Sequence, residues 1–331
     1  MHELLIDLAG GGRVLQASDE YLNPAERLLD PAAPVADPGR PGPRGGWLDG
    51  WETRRARPPG HEWAIIRLGQ RGRIHHVVVD TTHVVASLPE ACSVEAIDLP
   101  GDPNLVDLVR SRSLWHEIVP RHPVRGSGAH GFEVEAVAAT HLRLVIYPDG
   151  GIARLRVLGD PLPPDDLASR GAVDLASSGL GGRVIDVSDA GRSAPNSMLA
   201  AGDGKDHLDG WITRRRRTPG HEWAVVRLAG RGTIERIEID TRRFPGDSPA
   251  EVAVMGIDAP ATERPDPQKA DWRPLLTQTT VEPGARSRFD HLEDDGPVTH
   301  LRLDLHPDGA VARFRAFGPA VPTGDETDGS G

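Results

Sequence analysis

The chain has 331 residues, 38% of them hydrophobic and 26% charged, with a formal net charge of −11. Those proportions describe soluble, globular material rather than disorder, and at roughly 100–200 residues per domain the length suggests two domains. The acidic balance argues against a general nucleic-acid or membrane-surface binder, which needs a basic face. A small anionic substrate stays compatible, because a local arginine cluster can sit in an acidic protein.

The first seven residues, MHELLID, lack the basic start and apolar core of a signal peptide. No apolar run approaches the length of a membrane span. Residues 30–46, DPAAPVADPGRPGPRGG, read as an inserted surface loop. The block DGWETRRARPPGHEWAIIRL (49–68) contains a strand, EWAIIRL, and RIHHVVVD (73–80) is another. Cys92 is the only cysteine, so no intramolecular disulfide is available, which fits a reducing compartment and a cytoplasmic protein. In HLRLVIY (141–147), Leu142, Leu144 and Ile146 alternate with His141, Arg143, Val145 and Tyr147, the period of a strand with one buried face. Pro-Asp-Gly follows, then IARLRV (152–157), which predicts a hairpin.

From there the chain repeats itself. DGWITRRRRTPGHEWAVVRL (209–228) matches 15 of 20 positions of the block at 49–68, at an offset of 160. THLRLDLHPDGAVARFRAFG (299–318) matches 12 of 20 positions of residues 140–159, at an offset of 159. Unrelated segments give roughly one match per 20 positions. A period near 160 is too long for a solenoid or propeller blade, so a whole domain is duplicated. The expected organisation is a first repeat at 1–160, a Pro- and Asp-rich linker at 161–171, a second repeat at 172–318 and a disordered tail at 319–331. With 38 Gly and 30 Pro punctuating short strands, the fold class is all-β, with a sandwich or jelly roll in each repeat.

Two surfaces are candidates for chemistry. The outward face of the expected hairpin carries His141, Arg143, Arg154 and Arg156 in repeat one, and His300, Arg302, Arg313 and Arg315 in repeat two. A guanidinium fork pairs bidentately with a carboxylate, so these arginines are candidate substrate anchors; salt-bridged surface strands are the plainer alternative. The DGW block brings a Trp, adjacent arginines and a His-Glu pair within a short span. From it and the hairpin come the candidate catalytic residues Glu52, His61, Glu62 and His141. The candidate substrate-binding residues are Arg54, Arg57, Arg143, Arg154, Arg214, His221, His300 and Arg313. Glu52 stands where the second copy has Ile212, and a carboxylate present in one copy only suits a specific role. No HExxH, CxxC, GxSxG or dinucleotide motif occurs, so no cofactor is evident and no ligand motif supports a divalent metal.

These blocks, with VVVDTTH, CSVEA and WHEIVPR (115–121), resemble the allantoicase family, in both copies and over nearly the whole chain. The resemblance implies jelly-roll sandwiches similar to galactose-binding-type domains, hydrolysis of allantoate to ureidoglycolate and urea in purine degradation, and a homo-oligomer. One departure stands out: the family's Phe-x-Gly-Asn turn is Val84 to Ser87 in the first repeat, while Phe244 to Asp247 stays closer. A reading from another class is a non-catalytic carbohydrate-binding sandwich. Such modules stack sugars on aromatics, and 4% aromatic content with two Tyr offers few platforms. A relative that has lost its activity is the third reading.

Overall fold

The computed structural model describes residues 5–321 apart from 38, 43–44, 57–58, 102, 111, 204–208 and 261–262. The chain divides into two compact units, Leu5–Leu162 and one that begins at Pro163. Antiparallel strands build both, accompanied among the described residues by one α-helix, Leu105–Arg110, and short 3-10 turns. Among the described residues no helix is long and apolar enough to cross a membrane.

The second repeat shows the plan most simply. Five strands form one sheet in the order Arg183–Val187, Glu222–Gly232, Val298–His306, Glu251–Ile257, Arg273–Thr280. Four form the other: Ala172–Asp174, Arg313–Pro319, Arg236–Asp240, Arg286–Phe289. The first repeat has the same order, but two of its strands are 19 residues long and run through both sheets. Residues of Glu62–Asp80 pair first with Arg13–Ala17 and, past a register shift between Arg67 and Gly72, with Arg154–Pro161. Segments 62–68 and 73–80, read above as two strands, are thus one continuous strand here and two in the second copy.

The period-two pattern places the core as expected. Leu142, Leu144 and Ile146, and Leu301, Leu303 and Leu305, are fully buried between the sheets, each such side chain contributing about 1.5–3 kcal/mol. The hairpin is not formed. Residues 141–146 pair with Glu62–Arg67, whereas Arg154–Pro161 pairs with the far half of that strand, in the other sheet. Pro-Asp-Gly is therefore a crossing between sheets, and the arginines that precede and follow it do not share a face.

The duplicated blocks interlock at this crossing. Trp51 and Trp211 are fully buried, and their indole N–H groups donate to Asp19 O and Asp189 O. The Asp of each Pro-Asp-Gly accepts a backbone N–H from the DGW block: Asp149 from Ala56 at 2.8 Å, Asp308 from Arg216 at 2.7 Å. Thr53 and Thr213 exchange bonds with Gly150 and Gly309. Much of the identity between the copies serves this joint. At the C-terminal end, Pro319 pairs with Ala172, and Val321 N–H donates to Arg231 O. Residues 319–321, read above as tail, therefore belong to the fold; 322–331 lie outside the described residues.

Candidate active site

Strand alternation sends His61, Trp63 and Ile65 to the outer face of the five-stranded side of repeat one. Arg143, Val145 and Tyr147 alternate beside them on the neighbouring strand, where Trp63 pairs with Val145 and Ile65 with Arg143. Glu95 follows from the next strand, directly opposite Arg143. With Val109 of the helix above, these side chains line a recess of about 240 Å³. Glu95 accepts a hydrogen bond from Arg143 Nε, and the Trp115 ring lies 5.0 Å from the guanidinium. Among the described residues, Arg143 Nη1 and Nη2 take no hydrogen-bond partner. A planar guanidinium with two unfilled nitrogens in a recess suits a carboxylate or a ureido oxygen. The exposed His61 ring lies 5.8 Å from Tyr147. The Tyr147 hydroxyl is 3.2 Å from Ser93 Oγ, and Arg121 stacks on its ring at 4.1 Å.

The second repeat carries the same frame with different chemistry. Trp272 again faces the arginine, here Arg302, at 5.6 Å. Met255 replaces Glu95, and the acid comes instead from Asp304, at the position of Val145. Arg302 grips Asp304 bidentately at 2.8 and 2.9 Å, and its Nη1 donates to Pro267 O. The guanidinium is filled, unlike Arg143. His221 stands at the place of His61, and His306 at that of Tyr147.

The structure therefore gathers His61 and Arg143 and sets the other expected residues elsewhere. Arg154 is 2% exposed, and Asp49 Oδ2 at 2.7 Å plus the carbonyls of Ala32, Asp49 and Ala153 take its donors. Arg313 is held the same way by Asp209 and the carbonyls of Gly202 and Ala312. Both are buried ties. His141 and His300 are buried, with Nδ1 on the hydroxyls of Thr140 and Thr299. Burial, with Arg227 and Arg183 nearby, pushes His300 down to about 4, so it is neutral near pH 7. Glu62 and Glu222 accept from Ser18 and Ser188 Oγ, each at 2.5 Å, and fix the strand start. Arg54 and Arg214 are largely exposed and face Asp19 and Asp189. Arg57 lies outside the described residues.

Glu52 belongs to a different cleft, of about 520 Å³, with Trp47, Asp49, His83 and Val84 to Ser87. It accepts from Asn23 Nδ2 at 2.9 Å. In the second copy Phe244, at the position of Val84, packs with Ile212, Ala310 and Ala312. The Glu52/Ile212 difference thus accompanies an open cleft in one repeat and an apolar cluster in the other. Sequence reasoning missed Glu95 and Tyr147; the available signal was the register that sets them beside Arg143 and His61.

Comparison with known proteins adds the following. The allantoicase repeat family matches residues 4–162 and 173–321. A probable allantoicase of Burkholderia mallei is 40% identical over 324 residues, covering 95% of this chain and 93% of the relative. One from Rhizobium meliloti is 39% identical, covering 93% and 91%. The crystal structure of allantoicase from Saccharomyces cerevisiae aligns with a TM-score of 0.75 at 31% identity, covering 96% of this chain and 93% of that one.

Proposed function

The chain belongs to the allantoicase family, and from that premise we propose that it hydrolyses allantoate to ureidoglycolate and urea in the outer-face recess of its first repeat. The observation that carries the placement is Arg143. Its counterpart Arg302 and the hairpin arginines Arg154 and Arg313 are saturated by acids and carbonyls, while its terminal nitrogens are not.

Allantoate presents one carboxylate and two ureido groups on a single carbon. Arg143 receives the carboxylate, and Glu95 and Trp115 hold the guanidinium in place. Tyr147 donates to a ureido oxygen, where an unmatched polar group would be costly once desolvated. His61 takes a proton from water as the water oxygen bonds the central carbon, and the bond from that carbon to one ureido nitrogen breaks. The proton passes to the departing nitrogen, so urea leaves neutral. The place of the reaction in purine degradation follows from the family. The lone buried Cys92 supports a cytoplasmic setting, and the family resemblance supports a homo-oligomer.

The test is urea release from allantoate by the purified protein. Arg143→Lys keeps the charge and loses the fork, so KM rises by roughly 10- to 100-fold, the equivalent of about 1.5–3 kcal/mol for a charged hydrogen bond. His61→Asn lowers kcat by roughly 10²–10⁴-fold. Absence of urea release overturns the activity; parental kinetics in both folded variants removes the reaction from this recess.

A further inference from the structure

In the second repeat, strand alternation puts Arg302, Asp304 and His306 on the same outer face, and His221 beside them two residues before Trp223, which pairs with Asp304. The His221 and His306 rings lie 4.4 Å apart at their centroids. His221 Nε2 is 3.6 Å from Asp304 Oδ1, too far for a hydrogen bond. One ligand atom from each of His221, Asp304 and His306 falls within 4.8 Å of the other two. We infer that these three side chains form a binding site for one divalent transition-metal ion, a zinc-type site of two imidazoles and a carboxylate.

The chemistry of the donors selects the ion. Two imidazoles with one carboxylate suit zinc and its borderline neighbours rather than magnesium or calcium, which require oxygen ligands. Tetrahedral bonds of about 2.0–2.1 Å separate ligand atoms by roughly 3.3 Å, so the His221–Asp304 spacing is nearly right and modest ring rotation closes the remainder. Asp304 is already oriented. Arg302 clamps it bidentately, and Pro267 O and the Trp272 ring hold Arg302. A carboxylate gripped this way retains further lone pairs for a metal. Glu251, directly opposite His306 in the strand register and hydrogen-bonded to Gln278 Nε2, adds a further negative charge beside the imidazole pair.

The duplication provides an internal control. The first repeat has His61, Val145 and Tyr147 at the three positions, so only one ligand survives there. Asp304 also replaces Glu95 as the arginine's acid, because Met255 occupies the position of Glu95. The acid has moved from the neighbouring strand to the strand that brings it to the histidines. This site lies in the repeat that the hydrolysis reading does not use, so the two readings fail separately.

The experiment is a titration of tag-free, chelator-treated full chain with Zn²⁺ by calorimetry and with Co²⁺ by visible absorption. The expected result is one ion per chain, with the histidine ring resonances of His221 and His306 shifting on Zn²⁺ addition. His306→Tyr installs the first-repeat residue. Met255→Glu with Asp304→Val rebuilds the first-repeat acid and keeps Arg302 paired. Each weakens binding by more than roughly 100-fold, beyond the loss typical of an outer partner. Absence of Zn²⁺ binding by the parental chain overturns the site, as does parental affinity in the folded variants. Should the variants not fold, ring resonances of His221 and His306 that ignore Zn²⁺ overturn it equally.

Discussion

Replacing Arg154 by Met separates a buried tie from a substrate anchor. The substitution keeps an unbranched apolar stem and removes the guanidinium from Asp49 and from three carbonyls. Breaking a buried pair by deleting one partner costs about 3–5 kcal/mol. Here the lower end applies, because Arg27 still reaches Asp49 at 3.1 Å from a partly exposed position. Urea or thermal unfolding therefore loses about 3 kcal/mol, or roughly 10 °C in Tm, while KM for allantoate stays at the parental value. A pH arm sharpens the test. Burial raises the Asp49 carboxyl, but Arg154, the Val35 N–H and Arg27 outweigh it and hold it below the ordinary carboxylate range. A depressed carboxyl contributes stability above its unfolded value, about 3.9, and loses it as pH falls through the folded value. The parental chain loses that increment on acidification, and Arg154→Met has less to lose. Unchanged stability, or a rise in KM matching that of Arg143→Lys, refutes the tie.

Three further outcomes follow from named contacts. Glu52→Ile with Val84→Phe rebuilds the second-repeat cluster in the cleft of the first; burial of the new apolar groups adds about 1–3 kcal/mol by calorimetry, and turnover holds because that cleft shares no lining residue with the Arg143 recess. A gain in stability accompanied by loss of turnover would place substrate in the cleft. His300, held near 4 against an ordinary 6.5, contributes stability above its unfolded value that is lost as pH falls through the folded one. The full swing is about 3 kcal/mol, and His300→Gln flattens that slope in urea melts at pH 7 and 4; an unaltered slope contradicts the burial argument. Asp149→Ala removes the acceptor of the Ala56 N–H, costing about 1 kcal/mol and speeding hydrogen exchange at that amide, and an exchange rate like the parent's counts against the joint.

The period of Leu142, Leu144 and Ile146 was legible because alternation alone decides which face is buried. The crossing was not. Pro-Asp-Gly looks the same whether the chain returns to its own sheet or passes to the other, and only the pairing of Arg154 with Asp80 distinguishes them. That error carried into the site: adding residues along an imagined hairpin put Arg154 beside Arg143. The acid that saturates Arg154 is Asp49, remote in sequence, so no local pattern announces it. His61 and Arg143 were found from residue type, and Glu95 and Tyr147 needed the register. The His221, Asp304 and His306 group escaped motif reasoning because its first ligand stands on a strand far removed in the chain from the other two.

The movement of the acid from the Glu95 position to the Asp304 position has a historical consequence. The two copies began as one sequence, so one lineage exchanged its carboxylate between strands. A descendant lacking both would strand a half-buried cation, at a cost of several kcal/mol. A descendant carrying both adds a second carboxylate at a buried position, where the guanidinium it shares offsets its desolvation. The less costly route runs through a doubly acidic intermediate, and Val145→Asp beside an intact Glu95 would reproduce it, one substitution, Tyr147→His, from the trio found in the other half.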